Sequence, residues 1–209
     1  MTNKTVHVGQ MKSGTTYIQN ALDQSRSFLA NEGILYPGEL FNQQHACYGI
    51  CGANIPWVRE VKDNWDILGQ NLLDEIEKTD KHVLVSSEAL SCMDGTGVHE
   101  FIERLGEIDE VVITVRNLQR VLLSGWQQAI KGGGTKSLPE YINSVENDRF
   151  DNGPKWRTYS FGETARVWSE YANVRIVVVG EHCDQRALLK KFCDASRIPL
   201  VDEPTVDSS

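Results

Sequence analysis

A short apolar run near the N-terminus leads directly into a loop bounded by glycines, and a helical pattern follows at once. Residues 5–8 are predicted as a strand, and Gly9 and Gly14 lie at the two ends of the loop. Residues 15–31 then have apolar side chains at helical spacing. In this arrangement successive backbone N–H groups and the helix N-terminus point at one place, which suits a phosphate or sulfate group. The segment therefore predicts an anion-binding loop within an α/β fold.

The loop departs from the common nucleotide-binding pattern Gly-x4-Gly-Lys-Ser/Thr. The two glycines of that pattern fall at Gly9 and Gly14, and its hydroxyl falls at Thr16. Thr15 stands where the pattern has lysine, and the lysine lies inside the loop at Lys12. A kinase or ATPase would lose its usual lysine contact with the terminal phosphates. The loop therefore favours another anion chemistry, and the alternative is a tight strand-to-helix turn in which Thr15 or Thr16 caps the helix.

Three more apolar runs, at residues 83–86, 111–115 and 174–179, alternate with helical patterns. Because each run is almost continuously apolar, we expect strands that are buried on both faces. The helical patterns that follow the first one cover residues 65–78, 98–105, 118–130, 162–171 and 183–195. Such alternation predicts a three-layer α/β/α fold with a central parallel sheet. No shift of composition divides the chain, so residues 1–209 are expected to form a single domain.

Two segments lack a clear period. Residues 33–56 have glycine and proline at intervals and are predicted as a long surface excursion, and residues 131–136 are predicted as a mobile loop. Long irregular connections in a compact α/β fold often hold substrates. Substrate contacts are therefore expected in these segments.

The charge balance excludes several classes of partner. With 21 basic and 29 acidic residues the formal net charge is -8, which speaks against a nucleic-acid-binding or anionic-membrane-binding surface. No run approaches the roughly 18 apolar residues of a membrane span, and the N-terminus lacks the apolar stretch of a signal peptide. These features predict a cytoplasmic protein without membrane insertion.

The five cysteines are odd in number and scattered, which favours reduced thiols over a disulfide framework. Cys47 and Cys51 lie four positions apart, but two thiols without a second cysteine or histidine pair are a weak zinc signal. No metal site is therefore predicted.

Residues 12–19, Lys-Ser-Gly-Thr-Thr-Tyr-Ile-Gln, resemble the 5′-phosphosulfate loop of sulfotransferases that use 3′-phosphoadenosine 5′-phosphosulfate (PAPS). The second half of that family's donor site is an Arg-Asn pair after a later strand, with a serine eight residues beyond the arginine. Arg116, Asn117 and Ser124 supply this pattern after the strand predicted at residues 111–115. The order of the later elements also agrees, so the resemblance covers nearly the whole chain and implies a P-loop sulfotransferase fold.

The resemblance implies PAPS as the donor, PAP as the product and no metal. It assigns Lys12 to the breaking bond as a catalytic residue, and it assigns the 5′-phosphate to Lys12, Ser13, Gly14, Thr15 and Thr16. It assigns the 3′-phosphate to Arg116 and Ser124, which are able to converge on one phosphate. The alternative is that Arg116 pairs with a surface carboxylate and that Ser124 is an ordinary helix residue.

An acceptor hydroxyl or amine needs a base, and the resemblance places Glu88, after the strand at residues 83–86, in that role. Glu88 also has the alternative of capping the next turn or pairing with a lysine. His45, in the excursion, is a second candidate for the base or for an acceptor contact. The other histidines are assigned to strand or surface positions without a role: His7, His82, His99 and His182.

Two later features complete the comparison with the family. Phe161 matches the position of the family's aromatic contact to adenine, and a buried core phenylalanine is the alternative. Many cytosolic members have an Arg-Lys-Gly segment that closes on the 3′-phosphate, and nothing matching it precedes Ser209. The predicted domain therefore lacks that segment.

The sequence thus predicts a PAPS-dependent sulfotransferase acting on a small-molecule or carbohydrate acceptor. A P-loop nucleotide or small-molecule kinase is the second reading, since it shares the fold. A non-catalytic nucleotide-binding module is the third. The acceptor and the oligomeric state are left open, because the shape of a pocket decides the first and an interface the second.

Overall fold

The computed structural model describes residues 3–181 and 184–205. The strands are β1 Lys4–His7, β2 Ile34–Leu35, β3 His82–Ser86, β4 Glu110–Arg116 and β5 Asn173–Val179. The helices are α1 Thr15–Gln24, α2 Arg26–Asn31, α3 Gln44–Cys51, α4 Asp63–Glu77, α5 Gly95–Leu105, α6 Leu118–Lys131, α7 Leu138–Asp148, α8 Pro154–Tyr159, α9 Phe161–Trp168 and α10 Gln185–Ser196. Two 3-10 helices span Gly52–Asn54 and Glu88–Cys92.

The strands form one parallel sheet in the order β2-β3-β1-β4-β5. The first strand is therefore central, with β3 on one side and β4 on the other. Because parallel strands end at the same edge, the segments that follow β1, β3 and β4 meet there. Ligands of open α/β sheets bind at this edge, where the chain switches direction across the sheet.

Successive residues of the strands point to opposite faces of the sheet. Val111, Ile113 and Val115 of β4 pack with residues of α3, α4, α5 and α9, whereas Val112 packs with residues of α1 and α10. Two buried clusters thus lie on the two faces of the sheet. The predicted three-layer α/β/α fold with a central parallel sheet is confirmed.

One strand differs from the prediction of burial on both faces. In β5 the exposed fractions of Ile176 and Val178 are 48% and 59%, while Val177 is buried in the cluster with α10. The reason is that β5 lies at the edge of the sheet, with α10 covering one face and solvent reaching the other. An apolar run indicates that both faces of a strand can be buried. Whether both are buried depends on which faces of the sheet the neighbouring helices cover.

The prediction of a surface excursion at residues 33–56 is wrong. This segment contains strand β2 and helix α3, in which residues 46–51 are all buried. Helix α3 packs closely against α4 and also contacts α5, so it is buried on several sides. A helix of this kind has no polar face, and the amphipathic period that identifies a surface helix is therefore missing.

The boundaries of two predicted helices change, and two further helices are found. The helix predicted at residues 15–31 is two helices that meet at Ser25, a residue type that favours helix ends over helix interiors. Helices α7 and α8 were not predicted. The helix expected at residues 183–195 is observed from Gln185, and Cys183 and His182 lie outside the described residues.

The buried residues of α6, α7 and α8 form a third, smaller cluster. Its core is Val121, Val145 and Tyr159, one residue from each helix. The cluster is connected to the loop after β1, because Gln10 Nε2 donates a 2.9 Å hydrogen bond to the carbonyl of Tyr159. These helices therefore form a wall beside the loop that follows β1.

Within residues 3–181 and 184–205, no helix has the length and apolarity needed to cross a membrane, and no group of His, Cys, Asp and Glu side chains is arranged to hold a metal ion. Cys47 and Cys51 lie buried in α3, and burial raises the pKa of the Cys47 thiol to about 12.

Candidate functional site

The loop between β1 and α1 has two residues with positive φ. Lys12 has a φ of 65° and Gly14 a φ of 87°, a conformation in which glycine is free of strain. Gly14 is the N-cap of α1 and provides no side-chain cap, so the alternative in which Thr15 or Thr16 caps the helix is wrong. The N–H groups of the first turn are therefore left for a ligand, and the helix dipole favours an anion there.

The lysine of the loop contacts helix α6. Lys12 Nζ donates a 2.7 Å hydrogen bond to Gln128 Oε1. Gln128 is four residues beyond Ser124, so both lie on the same face of α6. The loop and this helix face thus form two sides of one site.

The side chains of Ser13 and His7 attach the loop to the carboxyl ends of the strands through buried hydrogen bonds. His7 Nδ1 lies 2.8 Å from Ser86 Oγ, and His7 Nε2 lies 3.1 Å from Thr114 Oγ1. Ser13 Oγ lies 2.8 Å from Thr114 Oγ1 and donates to the carbonyl of Gln10. This buried network joins β3, β1 and β4 at their carboxyl ends, and burial lowers the pKa of His7 to about 3. The hydroxyl of Ser13 is engaged within the protein, and its backbone N–H also donates a 3.1 Å hydrogen bond to the carbonyl of Gln10, so neither group of Ser13 is free for an anion in this structure.

The sequence predicts no role for His7, whereas in the structure its ring supports the loop through Ser86 and Thr114. It lies in a strand as predicted, but it is fully buried under the loop. The sequence could have indicated this role, because His7 interrupts an otherwise apolar strand shortly before the glycine turn. Its partners Ser86 and Thr114 come from other strands, so the network depends on the order of the sheet.

Glu88 is joined directly to the loop. Thr15 Oγ1 donates a 2.6 Å hydrogen bond to Glu88 Oε2. Thr15 is buried, and Glu88, which begins the 3-10 helix after β3, is half-buried. The carboxylate is therefore held at the edge of the sheet where the loop lies.

Arg116 ends β4 and lies close to the same loop. Its Nη1 is 3.5 Å from the carbonyl oxygen of Lys12, and its Nε is buried without a hydrogen-bond partner. Within the described part of the chain it forms no ion pair with a carboxylate. A buried guanidinium N–H without an acceptor carries a desolvation cost, which an anionic ligand would remove.

The neighbours of Arg116 have separate functions. The side chain of Asn117 caps α6 by accepting hydrogen bonds from the backbone N–H groups of Gln119 and Arg120. Asn117 thus fixes the start of the helix that carries Ser124. Ser124 lies in the second turn and is partly exposed.

The remaining candidates lie on helices. His45 is exposed near the start of α3, and its ring stacks on Trp65 with centroids 5.4 Å apart. Its described aromatic contacts are with Tyr48 and Trp65, and it makes no described hydrogen bond with the loop. Phe161 is 42% exposed, so its alternative assignment to the buried core is wrong. Thr16 is exposed on α1.

A cavity of about 270 Å³ opens beside Lys12. It lies between the loop, helix α6 and the third cluster, and its walls are mainly carbon atoms. The residues that line it are Met11, Lys12, Trp57, Gly125, Gln128, Tyr141, Lys155, Thr158 and Tyr159. Among these residues only Lys12 was predicted from the sequence, because the others come from five separate segments without a common motif.

No family model matches the chain, and no curated protein matches its sequence. Among solved structures the chain is similar to the crystal structure of a sulfotransferase from Alicyclobacillus acidocaldarius, with a TM-score of 0.65 and 14% sequence identity. The match covers 100% of this chain and 86% of that chain. At this identity the likeness establishes the fold: a five-stranded parallel sheet between helices, consistent with a sulfotransferase-like P-loop fold.

Proposed function

We propose that this protein is a sulfotransferase that moves a sulfuryl group from PAPS to a hydroxyl or amine of an acceptor. The observation that supports this most is the buried, unpaired Nε of Arg116 beside the loop. PAPS has a 3′-phosphate that ATP lacks, and a phosphate is the acceptor that a guanidinium group prefers. Arg116 and Ser124 are the proposed ligands of that phosphate.

The loop fits the other phosphate of the donor. The first-turn N–H groups of α1 have no side-chain cap, and Gly14 gives the loop its turn. We assign the 5′-phosphate to the backbone N–H groups of Gly14, Thr15 and Thr16 and to the side chain of Lys12, while Ser13 supports the loop through its own hydrogen bonds to Gln10. Phe161 is sufficiently exposed to stack on an adenine ring.

Bound PAPS supplies a sulfuryl group whose S–O bond to the 5′-phosphate breaks as a new S–O bond to an acceptor hydroxyl, or S–N bond to an acceptor amine, forms. Negative charge then grows on the oxygen that leaves with PAP. The ammonium group of Lys12 is proposed to stabilise that charge, which is an interaction stronger in the transition state than before it. The step is assigned to side chains and backbone N–H groups, without a metal.

The acceptor also loses a proton, and Glu88 is the proposed base. Its contact with Thr15 ties the carboxylate to the same loop as Lys12. A base supported by a strand end and by a second side chain is held more precisely than one on an exposed helix surface. We therefore favour Glu88 over His45, whose ring is engaged with Trp65.

The donor is tested by thermal unfolding with PAP, with ADP and with ATP plus magnesium. We expect PAP to raise the melting temperature much more than ADP, since ADP has no 3′-phosphate. Equal shifts for PAP and ADP would overturn the assignment of PAPS, and a dominant shift with ATP and magnesium would favour a kinase.

Transfer itself is tested with isotopically labelled PAPS and libraries of acceptors, with sulfated products detected by mass spectrometry. Sulfated product supports a sulfotransferase. Tight binding of PAP without any product from sugars, phenols, lipids or peptides would favour a non-catalytic binding module instead.

A further inference from the structure

The cavity beside Lys12 has fixed apolar walls. The hydroxyls of Tyr141 and Tyr159 hydrogen-bond each other, and the rings meet edge to face with centroids 6.4 Å apart. The hydrogen bond from Gln10 to the carbonyl of Tyr159 anchors this pair to the loop. Because the two hydroxyls are engaged with each other, the tyrosines contribute mainly ring carbon to the cavity.

A glycine allows helix α6 to lie against the tyrosine pair. A Cβ atom at Gly125 would collide with the hydroxyl of Tyr159 and come within 3.1 Å of the hydroxyl of Tyr141. Glycine in the interior of a helix is destabilising relative to alanine. The close approach of α6 to the two tyrosines requires a residue without a side chain, which explains the presence of Gly125 in this helix.

Trp57 forms another wall and is also held in place. Its Nε1 donates a 2.8 Å hydrogen bond to the hydroxyl of Tyr48, and 44% of the side chain remains exposed. The polar atom of the indole is thus engaged with α3. Thr158 is likewise occupied, since its hydroxyl donates to the carbonyl of Pro154 at 2.8 Å.

One polar side chain of the cavity differs from the rest. Lys12 and Gln128 bond each other, and the polar groups of the other walls are occupied as described. Within the described residues, Lys155 alone among the polar lining side chains has no hydrogen bond or ion pair. Among the residues that line the cavity, Lys155 therefore offers the positive group that is free to meet a ligand.

We propose that this cavity binds the acceptor, and that it selects a compact, apolar hydroxyl compound whose anionic substituent is recognised by Lys155. The inference rests on the proposed sulfuryl transfer, since it identifies the cavity with the acceptor side of Lys12. Glu88 does not line the cavity, so the reacting hydroxyl would extend from the cavity to the loop, where Thr15 holds the carboxylate. A sugar is disfavoured, because its many hydroxyls would lose hydrogen bonds to water against carbon walls. The volume suits a molecule of about one ring, as it lies near the lower end of ligand-pocket sizes.

The test uses three compounds that share a phenol ring and differ in the charge of the side arm. They are 4-hydroxyphenylacetate, 4-ethylphenol and tyramine, with glucose as the polar comparison. Each is titrated calorimetrically into the protein saturated with PAP. We expect the carboxylate to bind at least about tenfold more tightly than the ammonium compound, which is the effect of one charge-assisted contact of about 1.4 kcal/mol.

Two variants of the exposed Lys155 isolate its contribution. Lys155→Gln should reduce the preference for the carboxylate to less than about threefold, and Lys155→Glu should reverse it. Lys131→Gln removes a charge from an exposed lysine that does not line the cavity, so the preference should survive. An unchanged preference in Lys155→Gln, or tighter binding of glucose than of 4-ethylphenol, would overturn the inference.

The two proposals fail in different ways. Titration of PAP alone comes first, and its failure to bind would overturn the proposed function. The three phenols are then titrated into the protein without PAP, where the same order of affinities supports the anion-selective cavity and equal affinities refute it. Binding of PAP together with charge-independent binding of the phenols would refute the cavity inference and leave the proposed sulfotransferase standing.

Discussion

Lys12 in the loop and Gln128 in helix α6 are 116 positions apart in the chain, and Lys12 Nζ donates a 2.7 Å hydrogen bond to Gln128 Oε1. This bond connects the proposed catalytic ammonium group to the helix that also carries Ser124. It sets the position of a long, flexible side chain that would otherwise sample many rotamers. Gln128 was not recognised in the sequence, because an exposed glutamine on a helix has no distinguishing pattern.

Gln128→Ala is expected to lower turnover by about fivefold, since one hydrogen bond that positions Lys12 is worth about 1 kcal/mol. The affinity for PAP should change little. Gln128→Glu should be worse and should also raise the KM for PAPS, because a carboxylate would hold Lys12 and repel an anionic donor. Steady-state kcat and KM, with PAP binding by calorimetry, separate these effects, and a wild-type kcat in Gln128→Ala would contradict the positioning role.

Lys12→Ala is expected to lower turnover more than it lowers affinity for PAP. The charge of Lys12 matters most when the leaving oxygen becomes anionic, so most of its contribution appears in the transition state. The measurement compares kcat for transfer with the dissociation constant of PAP. A variant with normal kcat and only a raised KM for PAPS would rule out the catalytic assignment.

Arg116→Ala is expected to weaken PAP by roughly ten- to a hundredfold, the effect of one or two charge-assisted hydrogen bonds of about 1.5–3 kcal/mol. ADP should be affected little, because it lacks the 3′-phosphate. Arg120→Ala is the control, since Arg120 lies on α6 but pairs at the surface with Glu181. Equal losses for PAP and ADP in Arg116→Ala would show that the arginine does not read the 3′-phosphate.

Glu88→Gln is expected to reduce turnover by roughly 10²–10⁴-fold with PAP binding intact, because the amide keeps the size of the side chain and removes its basicity. His45→Gln should cost much less. Thr15→Val is the companion variant, since it removes the 2.6 Å hydrogen bond and leaves the carboxylate. The reverse result, with Glu88→Gln active and His45→Gln nearly inactive, would make His45 the base.

The unfolding free energy is expected to fall as the pH drops below about 6.5, partly because of His7. Burial lowers the pKa of His7 from 6.5 to about 3. Between pH 3 and pH 6.5 His7 is therefore protonated in the unfolded state and neutral in the folded state. This group adds a slope of about 1.4 kcal/mol per pH unit in that range. Urea unfolding at several pH values should show the slope reduced in His7→Gln, and identical slopes in both proteins would contradict a buried neutral His7.

Local sequence was sufficient for the loop and for most of the sheet. The conformation between Gly9 and Thr16 depends on neighbouring residues, and the apolar runs of β1, β3 and β4 are long enough to indicate strands buried on both faces. Helix α6 began at Leu118 as predicted, since Asn117 is a strong N-cap. These features involve interactions between residues close in the chain, which a sequence pattern records.

The contacts that complete the site were decided by tertiary structure. The Thr15–Glu88 and Lys12–Gln128 hydrogen bonds join residues 73 and 116 positions apart, and they form because β1 lies between β3 and β4. The cavity walls likewise come from separate segments. Helix α3 could not be predicted, because it lacks the polar face by which an amphipathic helix is identified in a sequence. Sequence patterns report the chemistry of each segment, whereas the order of the strands determines which side chains meet, and that order is set by packing the whole chain around one sheet.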